Sequence, residues 1–441
     1  MLERWKKEFE GRRVTVMGLG LLGRGVGDAQ FLAEAGAEVL VTDLKTREEL
    51  QESVERLSQY PNVTFILGEH RMEDFENRDF ILKAAGVPKD SPYIAHARER
   101  NIPIEMSASL FVRLAGIPII GVTGTRGKST VTHMVHHVLS QMTEGGSVLL
   151  GGNVRGVSTL ALLNEVKEES LAVLELDSWQ LQGCGEAKIS PQIAVFTNFM
   201  ADHLNYYKGD MDAYFEDKAQ IFLYQEEGDV LVTTPEVFER IQGFVKDQLE
   251  QQVLLTDTSV LPEDALLSMP GEHNRLNAAL AYQALKATSL SDEEIFEGLA
   301  SFPGVPGRLQ FLREIDGVRI YNDNNATTPA ATLAALRALG EGKNIILVMG
   351  GADKDVPREE LVAEIDTYAK RVLFIPGTGT DLISKEIEGV HAQNLKDALS
   401  QAREVAQEGD VILFSPGFAS FGAYANEYER GDEFVSLVNS L

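Results

Sequence analysis

The sequence predicts an α/β protein of three domains built on parallel sheets, and three observations carry that prediction. Short β-branched runs alternate with helix-patterned segments almost from end to end, the spacing of parallel strands joined by crossover helices. Glycine-rich turns close two of those runs, at 18–23 and 121–127. Two breaks interrupt the alternation: Gly116-Ile117-Pro118, and Pro303-Gly304 with Pro306-Gly307. They divide the chain into residues 1–114, 115–303 and 304–441.

Strands are expected at 13–17, 38–42, 63–67 and 80–82 in the first part. The second should contain strands at 117–122, 147–150, 171–176 and 193–197. The third should contain them at 319–322, 344–349, 371–375 and 410–414. A length of 441 residues suffices to bury several cores, and 44% apolar with 24% charged residues is ordinary globular composition. The net charge of −27 disfavours nucleic acid and anionic membrane as partners, since both select basic surfaces. A single cysteine, Cys184, excludes an intrachain disulfide and a Cys-clustered zinc site. The first ten residues are charged throughout and no apolar run reaches membrane-spanning length, so a cytoplasmic protein is expected, and a monomer.

The most specific chemistry lies at 119–130, Ile-Ile-Gly-Val-Thr-Gly-Thr-Arg-Gly-Lys-Ser-Thr. Gly121, Gly124 and Gly127 let backbone amides approach phosphate oxygens, and the helix that follows points its positive end at the same place. Lys128 would reach the β- and γ-phosphates of ATP, with the Ser129 and Thr130 hydroxyls near Mg²⁺. The strict phosphate-loop pattern fails at Val122, and the shorter Thr-Gly-Thr-x-Gly-Lys-Ser-Thr form fits instead. The central domain is therefore expected to be of the P-loop ATPase type.

The first part opens with Gly18-Leu19-Gly20-Leu21-Leu22-Gly23 after a strand, and Asp43 closes the next strand. That is a Rossmann-like fingerprint in its proper context, a site for a nucleotide-like diphosphate. A nicotinamide dehydrogenase is the competing reading; it leaves the Gly-Lys-Ser-Thr loop unexplained. Further groups sit where strands should end: Gly151-Gly152-Asn153, Glu175, Asp202-His203, Asn322-Asp323, Gly350 to Lys354, and Ser415-Pro416. The carboxyl edge of an open parallel sheet is where ligands bind, and a carboxylate at Glu175 is placed to hold Mg²⁺ beside Lys128. Asn274 and Asn277, three apart on a helical pattern, could read a base edge or merely cap the helix. Lys218 on its own reads as a surface helix lysine.

In this order, these motifs resemble those of the Mur ligases of peptidoglycan precursor synthesis, and the likeness spans nearly the whole chain. It rests on Thr-Gly-Thr-x-Gly-Lys-Ser-Thr, Gly-Gly-Asn, Leu-Glu-Leu-x-Ser-x-Gln-Leu, Asp-His-Leu, Gly-x-His-Asn, Gly-Arg, Asn-Asp-x-x-Ala-Thr, Gly-Gly-x-Asp-Lys and Ser-Pro-x-x-Ala-Ser. The resemblance implies a C-terminal domain that is also Rossmann-like. It implies an ATP-dependent ligase adding D-glutamate to UDP-N-acetylmuramoyl-L-alanine through an acyl phosphate. Gly20, Leu21, Leu22, Asp43 and Lys45 would hold the UDP end, with Asn153 and Gln180 also on the acceptor. ATP would be bound by Gly124, Thr125, Gly127, Lys128, Ser129, Thr130, Asn274, Asn277, Arg308 and Asp323. Ser129 and Glu175 would ligate one Mg²⁺, His203 and Lys218 a second, with Lys218 carbamylated. Lys128, Asn153, His203 and Lys218 would form the catalytic set. Thr327, Lys354 and Ser420 would form the amino-acid pocket.

The sequence departs from the family pattern in places. Arg126 stands for Asn in the loop, Asp177 for Ser, Asn324-Asn325 for Ser-Lys, and Gly422, Ala425 and Glu427 for an acid, a lysine and an aromatic. These substitutions keep two alternatives open: a family ligase using L-glutamate or another amino acid, and a relative that binds ATP without turnover.

Overall fold

The computed structural model describes residues 2–441 apart from 21–22, 143–146, 246–248, 264, 266, 268 and 425. It contains three α/β sheets. In the first, β1 (Arg13–Met17), β2 (Glu38–Asp43), β3 (Val63–Leu67), β4 (Phe80–Lys83) and β5 (Ile104–Glu105) lie in the order β3-β2-β1-β4-β5, all parallel. The chain winds outward from β1 to β3 and returns to β4, so a crevice opens between the carboxyl ends of β1 and β4.

The second sheet comprises β6 (Ile119–Thr123), β7 (Val148–Gly152), β8 (Leu171–Glu175), β9 (Ile193–Phe196), β10 (Val230–Thr233) and β11 (Gln252–Leu255). Its order is β11-β10-β9-β6-β8-β7, again all parallel. β6 is buried along its whole length, as a central strand covered on both faces must be. The helix Lys128–Met142 leaves its carboxyl end.

The third sheet holds β12 (Gln310–Ile315), β13 (Val318–Asn322), β14 (Ile345–Met349), β15 (Ala369–Phe374), β16 (Val390–His391) and β17 (Val411–Phe414). The order is β12-β13-β17-β14-β15-β16, with only β12 antiparallel. Among the described residues no helix is long and apolar enough to cross a membrane.

In space the chain forms two compact units, residues 1–263 with 277–299, and residues 264–276 with 300–441. The first two sheets therefore share a unit. One apolar core runs through both, from Phe9, Phe31 and Leu32 through Phe111 and Leu160 to Leu174 and Phe196. Each such side chain contributes about 1.5–3 kcal/mol on burial, which holds the two sheets together. Polar ties cross the same junction: Trp5 Nε1 donates to the Leu163 carbonyl at 3.1 Å. Asp28 Oδ1 accepts from Ser107 Oγ at 2.7 Å and from Ser158 Oγ at 2.6 Å.

Burial pushes the Asp28 carboxyl up to about 6, against the opposing pull of Ser158, Ser107 and Arg24. A folded-state value above the unfolded one favours the protonated form. Its stabilising contribution is complete below about pH 4 and is lost as pH rises through about 6. Asp28→Asn removes this dependence. The variant should gain stability over the parent between pH 4 and 7, by up to about 3 kcal/mol, read by urea unfolding at successive pH values. A pH-independent difference would contradict it.

Candidate active site

The glycine-rich loop at 124–127 is bound tightly to the segment after β9. Thr125 N donates to Asn198 O at 2.9 Å, and Arg126 N to Asn198 Oδ1 at 2.8 Å. Met200 N donates to Thr125 Oγ1 at 3.0 Å. Gly124 has φ +138°, and a Cβ there would lie 2.0 Å from Thr197 Oγ1. At Gly127, φ is +81° and a Cβ would lie 2.3 Å from Asn277 Oδ1. Both positions admit only glycine. The sequence singled out Asp202 and His203 in this segment but not Asn198, whose amide and carbonyl set the loop. An Asn closing a buried strand was the available signal.

Two lysines converge on one carbonyl of this loop. Lys128 Nζ donates to Gly124 O and to Thr125 O, each at 3.1 Å. Lys218 Nζ donates to Gly124 O at 2.7 Å and lies 4.8 Å from the centroid of the Tyr214 ring. Lys218 is only 1% exposed, so it is not the surface lysine its helix pattern suggested. Burial first, and the Lys128 charge second, hold its pKa well below the ordinary lysine value. Asp217 beside it is also buried, accepting from Gln182 Nε2 and Tyr207 OH at 2.9 Å each and paired with Lys89.

Glu175, 4% exposed, ends β8 in register with Val122 and Gly152. Asn153 Nδ2 donates to its Oε1 at 3.2 Å, while Asn153 Oδ1 accepts from Arg24 Nη1 at 2.6 Å. Glu175 has no ion-pair partner among the described residues, so a buried carboxylate with an amide partner ends the strand beside β6, the strand that leads into the loop. That fits a cation. Thr130 is buried on the loop helix, and the Ser129 carbonyl contacts His133 Nδ1 at 2.7 Å. His203 has φ +52°, and its ring lies 5.0 Å from that of Trp179. Burial lowers its pKa, opposed by Asp202, so the imidazole is neutral at neutral pH.

Other nominated groups have structural partners. Asp43 Oδ2 accepts from Leu19 N and Oδ1 from Lys45 N, both at 2.9 Å, so this acid staples the glycine-rich turn of the first sheet. Gln180 forms a capping box with Asp177 at the start of the helix Ser178–Ala187. Gly20 has φ +65°, Lys45 is half-buried, and Leu21 and Leu22 lie outside the described residues.

Residues 264–276 with 300–441 carry the remaining candidates. Asn274 Nδ2 donates to the Pro270 carbonyl at 2.8 Å. Asp323 accepts from Leu309 N at 3.0 Å and Ser415 Oγ at 2.8 Å, next to Arg308. Burial, partly offset by these bonds, pushes its carboxyl up to about 7. Lys354 Nζ donates to Thr327 Oγ1 at 3.0 Å. Mutual backbone bonds of 2.8 and 2.9 Å between Ala352 and Ala419 bring the Lys354 loop to Ser420. Buried Arg430 braces these loops, donating to Asn324 Oδ1 at 2.8 Å and Phe418 O at 3.2 Å. Ala425 lies outside the described residues.

Residues 12–105 match the MurD-like N-terminal domain of Mur ligases, 122–253 the Mur ligase middle domain, and 307–418 the glutamate ligase domain of Mur ligases. UDP-N-acetylmuramoylalanine–D-glutamate ligase of Roseiflexus sp. (strain RS-1) is 35% identical over 98% of this chain and 100% of its own. The protein of that name from Geobacillus kaustophilus is 34% identical over 98% of each chain. Among solved structures, UDP-N-acetylmuramate-alanine ligase MurC from Thermotoga maritima matches with TM-score 0.60 at 20% identity, over 97% of this chain and 99% of its own. MurF ligase from the same organism, in complex with ADP, matches with TM-score 0.59 at 19% identity, over 99% and 96%.

The loop geometry makes a direct prediction. Gly127→Ala should weaken ADP binding by about tenfold or more, because its Cβ would collide with the Asn277 amide. Titration calorimetry with ADP and Mg²⁺ reads this; unchanged affinity would contradict the loop assignment.

Proposed function

Because the chain belongs to the Mur ligase family, we propose that it joins D-glutamate to UDP-N-acetylmuramoyl-L-alanine at the expense of ATP, releasing ADP and phosphate. The observation that carries this reading is the shared edge of the central sheet. There Lys128 and Lys218 share the Gly124 carbonyl, and Glu175, bonded to Asn153, ends the neighbouring strand β8, so cations and a carboxylate lie along the edge where two anions would have to meet. We assign residues 1–114 to the UDP-substrate domain, 115–303 to the ATP domain and 304–441 to the amino-acid domain.

In the first step a carboxylate oxygen of the acceptor attacks the γ-phosphorus, and the bond to ADP breaks. The amino nitrogen of D-glutamate then attacks the acyl carbon. The tetrahedral intermediate expels phosphate while the nitrogen loses a proton. Lys128 and the loop amides neutralise and align the phosphates, which is most of what such a step requires. Asn153 donates to the acceptor. Asn274, Asn277, Arg308 and Asp323 bind ATP, and Thr327, Lys354 and Ser420 supply hydroxyls and one cation to a dicarboxylic amino acid.

Mg²⁺ would be held by Ser129 and Glu175, with a second ion on His203 and Lys218. Bound there, it supplies positive charge against the meeting anions. An ammonium at Lys218 repels a cation and a neutral amine is a poor ligand for Mg²⁺, which takes oxygen, so this residue would hold the ion as a carbamate. Its lowered pKa makes the neutral amine available: the nitrogen bonds to the carbon of CO₂ and a proton leaves.

Phosphate release with UDP-N-acetylmuramoyl-L-alanine and ATP, scanned across amino acids, should respond to D-glutamate alone. Response only to L-glutamate or another amino acid would replace this reading with the alternative ligase. Lys128→Ala should lower kcat by about 10²-fold or more. Lys218→Ala should abolish turnover, with partial recovery in bicarbonate. An active variant indifferent to bicarbonate would refute the carbamate.

A further inference from the structure

Arg24 opens the helix Arg24–Glu34 directly after the glycine-rich turn of the first sheet. A cation at that end runs against the helix dipole, and no acidic residue in the first turn offsets it. Its guanidinium instead reaches the second sheet, where Nη1 donates to Asn153 Oδ1 at 2.6 Å. Asn153 in turn donates from Nδ2 to Glu175 Oε1 at 3.2 Å, and from its main-chain nitrogen to Glu175 O at 2.7 Å. An amide held between a guanidinium and a carboxylate has one orientation. Turned over, its NH₂ would face the guanidinium and its oxygen the carboxylate, two repulsive contacts in place of two attractive ones.

We propose that Arg24 is a positioning residue for the acceptor substrate: it fixes the Asn153 amide so that its N–H groups face the catalytic edge. This couples the nucleotide-binding turn of the first sheet to Glu175 of the second, and it rests on the ligase reading above. Nδ2 carries two protons. Glu175 takes one, and the other points an N–H donor at an acceptor oxygen. Without Arg24 the amide can turn and set its oxygen against both Glu175 and an incoming carboxylate. The guanidinium also places a full positive charge one amide away from Glu175, which offsets repulsion between that carboxylate and an anionic acceptor.

The test is steady-state kinetics of Arg24→Gln and Arg24→Lys with UDP-N-acetylmuramoyl-L-alanine, ATP and D-glutamate, each varied in turn. Arg24→Gln should raise the acceptor KM about tenfold or more, the scale of one charge-assisted hydrogen bond. The KM for D-glutamate should stay within about twofold, because the amino acid does not contact this relay, and the KM for ATP should rise less than that of the acceptor, because ATP meets the relay only through the ion on Glu175. Arg24→Lys, which keeps the charge on a single-point donor, should fall between parent and Gln variant, and carries the test if the Gln variant does not fold. An unchanged acceptor KM, or an equal rise in all three KM values, would overturn the proposal. If the unmutated chain turned over no substrate, the ligase reading would fail. Calorimetry of UDP-N-acetylmuramoyl-L-alanine without ATP would still judge Arg24, with equal affinities for parent and Gln variant counting against it.

Discussion

At Gly124 the backbone passes so close to Thr197 that no side chain fits, and the catalytic edge depends on that approach. The carbonyl of Gly124 is thereby offered to two lysines, Lys128 from the helix after β6 and Lys218 from the helix Met211–Ala219. Two cations on one carbonyl repel each other, and burial of the second sharpens the repulsion. The strain is relieved electrostatically when one lysine yields its proton, and Lys218, the more deeply buried, is the one whose environment favours that. A single tight turn thus holds both lysine nitrogens at one carbonyl, and the proton of the buried one is the more easily lost.

The central strands were legible because a strand buried on both faces reads as an uninterrupted apolar, β-branched run. Those at 13–17 and 63–67 agree with the sequence reading to the residue. The strands it missed are mostly sheet edges: β5, β11, β12 and β16 are short or half-exposed, so no apolar run marks them. β10 is the exception, fully buried yet only four residues long between two helices. The shared core of the first two sheets was not legible either, since nothing in a sequence says which surfaces of separate sheets meet.

Candidate residues divide in a similar way. Glycines at 124 and 127 and lysine at 128 were recognisable because loop chemistry allows few substitutes. Lys218 was not recognisable from its pattern, because depth of burial depends on residues distant in sequence such as Gly124. Polar residues at strand ends proved to have more than one use. Asp43 and Asp323 accept backbone and hydroxyl donors with both carboxylate oxygens, and Gln180 caps a helix. Motif position marks where such groups sit; only the hydrogen-bond partners say what they hold in place.

Ligation at this edge requires the acceptor carboxylate to attack phosphorus at the Lys128 loop, and oxygen transfer reads that event directly. UDP-N-acetylmuramoyl-L-alanine labelled with ¹⁸O in its terminal carboxylate should pass one labelled oxygen to the phosphate released in a single turnover. The ³¹P resonance of that phosphate would then carry the isotope shift. Phosphate released with no label, while the amide product accumulates, would contradict an acyl phosphate formed at this edge.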